Sequence, residues 1–315
     1  MQAAEPVRRT PEIEEFTNRL VIHPVAGRLV RLFARLGVAP NAVSLLGMAC
    51  GIGAALAYLH YDRPACVVAG FCLMILWHVM DGADGQLARL TASQSELGKV
   101  LDGVCDYVTF IGVYAALAVG LAARHGAWVW GVVIVAGLCH AVQAAAYEKQ
   151  REEYVLWGRG RLSAQAGTDP GTGAPSRLFR QFHRAYAGLQ SFTAIPAAAL
   201  RQDYFASLAS RPERAAASRE RYRRTFAPAV RRWSVMSANY RTIGIFLFTL
   251  CGIPLYYFCA EILGLSLVLV LLLAAQRALY RRFCANLEVA GADEQVVPPE
   301  RLSADSLYRL AERNR

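Results

Sequence analysis

The sequence predicts an all-α integral membrane protein: a bundle of six transmembrane helices, an N-terminal amphipathic juxtamembrane helix before it, and a helical cytoplasmic insertion between helices four and five. Three observations carry this prediction. Hydrophobic residues make up 55% of the 315, where a soluble domain has about 45–50%. They gather into runs of about 20 residues, the length that crosses the hydrocarbon core. The basic residues avoid those runs and collect on alternate connections, the mark of a polytopic chain with a positive inner face.

Each element can be justified in order. Residues 1–40 form a cytoplasmic N-terminal segment. Within it, Phe16, Leu20, Val21, Val25, Leu29, Leu32, Phe33 and Leu36 recur at helical spacing, with Arg19, Arg28, Arg31 and Arg35 between them. That pattern suits a helix lying at a membrane surface. Residues 41–149 hold four spans, expected at 43–60, 64–82, 98–122 and 127–148. Residues 150–238 form the insertion, with an amphipathic helical pattern over 176–206 and an arginine-dense stretch over 211–232. Residues 239–285 hold the last two spans, expected at 240–260 and 262–283 and divided next to Gly264; residues 286–315 are a tail.

Orientation follows from arginine placement. Six spans put 1–40, 86–97, 150–238 and 284–315 on one side, with nearly all the arginine; Arg63 and Arg124 alone fall opposite. Both termini are then cytoplasmic, and the arginine bias suits a bacterial inner membrane.

The net charge of +10 does not indicate a nucleic-acid partner. The arginines flank apolar spans, and no basic stripe is interleaved with exposed aromatics. The eight cysteines form no Cys-x-x-Cys pair, which disfavours a zinc site or a disulfide framework and leaves small buried hydrophobes as the default. The first forty residues are polar and charged, so the first span is expected to act as the insertion signal.

The chemistry concentrates at 81–106. Asp81 and Asp84 stand three apart near the end of the second span, and Asp102 and Asp106 stand four apart near the start of the third. Separations of three and four share one helix face. Two spans joined by a short connection are antiparallel neighbours, so four carboxylates can converge. An aspartate at the centre of a membrane helix costs about 2.5–3.5 kcal/mol, and clustered carboxylates repel. A divalent cation relieves both penalties. Oxygen-only ligation selects a hard ion, Mg²⁺ or Mn²⁺. Gly82, Gly85, Ala88 and Gly98 remove bulk around the acids, leaving room for a ligand, and Arg89 can pair a phosphate through two nitrogens.

Acids in a membrane also suit a transporter or cation channel, but those here cluster at one end instead of crossing the bilayer. An intramembrane prenyltransferase would need a second acidic motif. Polar groups at membrane depth are candidates by default. His140, Gln143, Arg241 and Arg277 are therefore functional-site candidates.

Written as spacing, the motif is D-x2-D-G-x2-A-R-x8-G-x3-D-x3-D. It resembles the signature of the CDP-alcohol phosphotransferases, and every fixed position is met. The resemblance implies Asp81, Asp84 and Asp102 as metal ligands. It implies Asp106 as general base, touching a second metal. It implies that Gly85 and Ala88 form the surface against which the cytidine nucleotide lies, with Arg89 and Ser95 as phosphate contacts. Pro40-Asn41-Ala42-Val43-Ser44 resembles the family's Pro-Asn-x-x-Thr start of the first span, which makes Asn41 and Ser44 nucleotide contacts. The implied reaction joins a CDP-alcohol donor and an acceptor alcohol and releases CMP in phospholipid biosynthesis, which makes His140, Gln143, Arg241 and Arg277 the acceptor-site candidates. CDP-diacylglycerol is the favoured donor; a CDP-linked small head group passed to a lipid alcohol uses the same signature. The resemblance also implies membrane lipid as partner and a homodimer, which many members form.

Overall fold

The computed structural model describes residues 11–160, 188 and 212–295, and every element among them is helical. Gly188 apart, the amphipathic stretch expected over 176–206 lies outside the described residues, as does the tail beyond 295.

A short helical turn at Pro11–Ile13 and a π-helical turn at Asn18–Ile22 lead into α1, His23–Arg35. Then come α2 (Pro40–Tyr58), α3 (Pro64–Leu90), α4 (Glu96–His125) and α5 (Val129–Arg159). Within the insertion come α6 (Pro212–Arg232) and a turn at Trp233–Met236, and α7 (Ala238–Leu250) follows. The chain closes with α8 (Pro254–Cys259), a π-helical stretch at Ala260–Leu265, and α9 (Ser266–Gln295). Proline opens α2, α3 and α8 within the first turn, where its missing N–H costs nothing.

Five described stretches are long and apolar enough to cross a membrane: Pro40–Tyr58, Pro64–Leu90, Val100–His125, Val129–Arg159 and Pro254–Ala285. The last two spans depart from expectation. The chain breaks at Cys251–Ile253, not beside Gly264. Gly252 adopts φ +75°, the Ile253 N–H bonds Phe248 O at 2.9 Å, and Pro254 restarts the helix. A residue before proline is pushed out of the helical region, and only glycine takes positive φ without strain. Gly264 sits inside the continuous stretch that follows. The helix before the break, α7, is therefore 13 residues, or about 20 Å, short of the roughly 30 Å core.

The main core lies among α2, α3, α4 and α5, where Ala54, Tyr58, Met74, Trp77, Val113, Leu117 and Val133 are buried, joined by Ile245 and Phe258. Small residues let these helices approach. A Cβ at Gly51 of α2 would meet Thr109 Cβ and Cγ2 of α4 at 2.8 Å. Of the cysteines, Cys50 and Cys105 are buried as expected, but Cys72, Cys251 and Cys259 face outward; all eight are free thiols.

Two further clusters sit at the end of the bundle that carries the aspartates. Ile22 of the π-helical turn and Ala26 and Val30 of α1 pack on Val79, Met80, Ala83 and Leu87 of α3. The apolar residues that marked this segment in the sequence divide: Leu29 and Phe33 pack against that cluster, whereas Phe16, Leu20, Val25, Leu32 and Leu36 are exposed. That outward face fits a membrane-surface helix. The second cluster joins Ile13, Tyr154, Tyr222, Phe226, Val230, Tyr280 and Phe283. Here α6 packs by its aromatic face on the last turns of α5 and on α9. Helix α5 runs past the expected end at 148 because Gln150 and Tyr154 continue its buried face.

Replacing Gly51 with alanine should force α2 and α4 apart, because the crowded atoms belong to a stiff β-branched residue. A loss of about 1–3 kcal/mol is expected, read as a lower thermal midpoint in detergent. An unchanged midpoint would mean that this crossing is loose.

Candidate active site

Helices α3 and α4 are joined by only five residues, 91–95, so their aspartate-bearing ends face each other. Ser95 caps α4, its hydroxyl accepting the Gly98 N–H at 3.0 Å. Thr91 closes α3 through its hydroxyl to Leu87 O at 2.9 Å. These caps hold both helix ends without lengthening the turn.

One carboxylate oxygen from each of Asp81, Asp102 and Asp106 lies within 4.8 Å of the others, all three half-buried. At that separation like charges repel strongly unless a cation or protons intervene. The donor set is oxygen only, which fits a hard divalent ion. Asp84 stands outside the group of three. It is buried, and its Oδ2 accepts the Ser44 hydroxyl at 2.5 Å, a short charge-assisted bond.

The start of α2 completes the surroundings. Ser44 touches Asp84, and Asn41 Oδ1 is 3.3 Å from where a Cβ on Gly98 would stand. A side chain at 98 would also press on Ser95 Oγ at 3.1 Å. Gly98 thus keeps the first turns of α2 and α4 together. Arg89 folds back over Gly85: its Nη1 and Nη2 are 3.5 and 3.8 Å from the missing Cβ. Ala88 is half-buried one residue before it. Gly82 faces α1 and not the acids: a Cβ there would make ordinary contact with Ile22, Ala26 and His23 at 3.4–3.7 Å, on the face of α3 turned from Asp81.

The acceptor candidates divide. Arg277 is exposed on α9. His140, Gln143 and Arg241 belong to a buried polar network. Arg241 gives Nε to Glu261 Oε1 at 3.1 Å, Nη2 to Gln143 Oε1 at 2.6 Å, and Nη1 to Met236 O. Gln143 donates to Glu261 O and Ser266 Oγ, both at 3.2 Å. Tyr257 donates to Glu261 Oε2 at 3.0 Å and meets Tyr114 OH at 3.0 Å, and Tyr114 OH lies 3.3 Å from His140 Nδ1. The His140 ring packs edge-on to Phe110 at 4.6 Å. Phe110 lies one turn beyond Asp106, so the network starts directly below the acids. Glu261, Tyr114 and Tyr257 were missed by sequence reasoning; a lone acid in the run 254–285 was the available signal. The buried His78–Thr242 bond, 2.9 Å between α3 and α7, was missed as well.

Residues 37–167 match the family model for CDP-alcohol phosphatidyltransferase. The chain is 38% identical over 81 residues to an uncharacterized CDP-alcohol phosphatidyltransferase class-I family protein of Dictyostelium discoideum, covering 24% of this chain and 20% of that protein. It is 28% identical over 102 residues to a phosphatidylinositol phosphate synthase of Mycobacterium marinum, covering 32% and 42%. With human cholinephosphotransferase 1 it shares 32% identity over 100 residues, covering 30% and 24%. The matched stretch thus spans less than half the length of each of these relatives.

Arg241 and Glu261 have fully buried side chains. Breaking such a pair from one side strands a charge and costs about 3–5 kcal/mol. Arg241→Met should therefore lower the thermal midpoint far more than the double change Arg241→Met, Glu261→Gln. Equal losses would mean that the pair is not the network's core.

Proposed function

We propose that the chain, whose residues 37–167 match the CDP-alcohol phosphatidyltransferase model, moves a substituted phosphate group from a CDP-alcohol to an acceptor alcohol, releasing CMP, at the Asp81–Asp102–Asp106 cluster. The observation that carries this reading is the convergence of the three carboxylates within 4.8 Å, on a motif that meets every fixed position of the signature.

Asp81, Asp84, Asp102 and Asp106 hold Mg²⁺ or Mn²⁺ in this reading. A divalent cation there supplies charge neutralisation for the diphosphate and for the leaving CMP. Gly85 and Ala88 offer a bare surface to the cytidine nucleotide. Arg89 takes a phosphate oxygen, and Asn41, Ser44 and Ser95 line the same side. Asp106 accepts the proton of the acceptor hydroxyl. The alcohol oxygen then forms a bond to the β-phosphorus as the bond to the CMP oxygen breaks. Positioning and electrostatics supply most of the rate, as in phosphoryl transfer generally.

CDP-diacylglycerol with a small polar alcohol is the favoured pair. The likeness to a protein named cholinephosphotransferase supports testing a CDP-linked head group with a lipid alcohol beside it. The acceptor site is assigned to the surroundings of Arg277 and to the His140–Gln143–Arg241 network below the acids. In this reading α7 serves as a shortened fifth of six spans, both termini and the acids lie on the arginine-rich cytoplasmic face of a bacterial inner membrane, and a homodimer is the working assembly.

Purified Asp106→Asn protein should keep its fold and donor binding but release CMP at least about a hundred-fold more slowly, the usual scale for a lost general base. EDTA should abolish wild-type release, and added Mg²⁺ or Mn²⁺ should restore it. Normal release by Asp106→Asn would contradict the base assignment. Arg277→Ala should raise the acceptor KM several-fold more than the donor KM; an unchanged acceptor KM would remove Arg277 from the pocket.

A further inference from the structure

The N-terminal segment does more than lie on a surface. Its Glu12 carboxylate accepts the Tyr154 hydroxyl at 2.5 Å and Arg159 at 3.1 Å, and its carbonyl accepts Arg231 Nε at 2.6 Å. Glu15, also buried, accepts Ser237 Oγ at 2.8 Å, Asn239 Nδ2 at 2.9 Å and Tyr147 OH at 3.1 Å. Burial pushes the Glu15 carboxyl above its ordinary range, against these donors and the charge of Arg151. The segment is therefore pinned to α5, to α6 and to the start of α7.

From that anchorage it reaches α3. Glu14 Oε1 lies 2.9 Å from His23 Nε2, and His23 Nδ1 lies 3.1 Å from Gln86 Nε2. The amide nitrogen can only donate, so Nδ1 accepts and Nε2 carries the proton that Glu14 takes. Gln86 is 3% exposed and stands two residues beyond Asp84. Gln86 and Gly82 are four apart on one face of α3; Asp81, Asp84 and Ala88 share another. Ile22 and Ala26 lie against Gly82, and Gly27 lies against the Gln86 amide, whose Oε1 is 3.6 Å from where a Cβ would stand.

A helix gripped in this way cannot turn about its axis. The consequence for the site is large. A carboxylate about 6 Å from the axis moves by about 2 Å when the helix rotates by about 20°. A displacement of about 1 Å can cost about a hundred-fold in rate.

We propose that Gln86 is a positioning residue. The Glu14–His23–Gln86 relay fixes the rotation of α3 so that Asp81 meets Asp102 and Asp106 of α4 while Asp84 keeps its bond to Ser44 of α2. The segment that supplies it precedes the family match, which begins at residue 37. The assignment rests on the phosphotransferase reading.

The test uses the full-length protein, with CMP release measured over a range of CDP-alcohol concentrations and the thermal midpoint measured alongside. Gln86→Leu keeps the bulk and removes the amide. Gln86→Glu keeps a bonding partner for the ring, which then sits protonated between two carboxylates. Gln86→Leu should lower kcat by about ten-fold or more with the donor KM within about two-fold and the midpoint nearly unchanged. Gln86→Glu should restore most of the loss. His23→Leu, at a less buried position, should reproduce the kcat loss, and the double change should be no worse than either single one. A Gln86→Leu kcat within about two-fold of wild type would overturn the assignment. So would an equal loss in Gln86→Glu, or additive losses in the double change. Wild type that releases no CMP from any CDP-alcohol would overturn the reaction reading itself, and this assignment with it.

Discussion

Three carboxylates held within 4.8 Å of one another set the terms for this molecule. Left to themselves they repel, and at the edge of a membrane they are also poorly solvated. A fold that holds them together must resist that repulsion through its helices. The capped five-residue turn between α3 and α4 does part of this work. So does the close approach of α2, whose Ser44 occupies Asp84 and whose Asn41 abuts Gly98. The remainder comes from behind α3, where α1 packs against Gly82 and the Glu14–His23–Gln86 relay grips the helix.

The polar network beneath the acids obeys the same constraint in a drier place. Arg241 and Glu261 are fully buried in a region where an unpaired charge would not be tolerated. Their remaining donors and acceptors go to Gln143, Tyr257 and the Met236 carbonyl. The network crosses from α5 to α7 and on to the π-helical stretch around Glu261. It therefore holds the short α7 and the broken segment after it to the rest of the bundle. Its upper end, at His140 and Phe110, supports the helix that carries Asp106.

Much of this was legible in the sequence, for identifiable reasons. The aspartate spacing is a local property, and helix periodicity converts it directly into a shared face. The apolar runs and the arginine bias report a membrane chain in the same local way. Gly264 misled because a glycine in an apolar run signals a break only in the right company; Gly252, followed by Ile253-Pro254, had that company. The acids of residues 11–15 carry no local mark of their role because their partners lie far along the chain. Glu15 meets Ser237, 222 residues away, and no periodicity records such a pairing. Gln86 was overlooked for a related reason: it sits inside the motif at an unspecified position, and its partner belongs to another helix.

If the acids hold a divalent cation, Mn²⁺ binding read by electron paramagnetic resonance reports it directly. In full-length wild-type protein without nucleotide, the free-ion signal should fall as protein is added. Asp81→Asn and Asp102→Asn should weaken that binding by about ten-fold or more, the scale at which losing even a supporting group reduces metal affinity. Binding that is absent from wild type, or unchanged in both variants, would contradict the account.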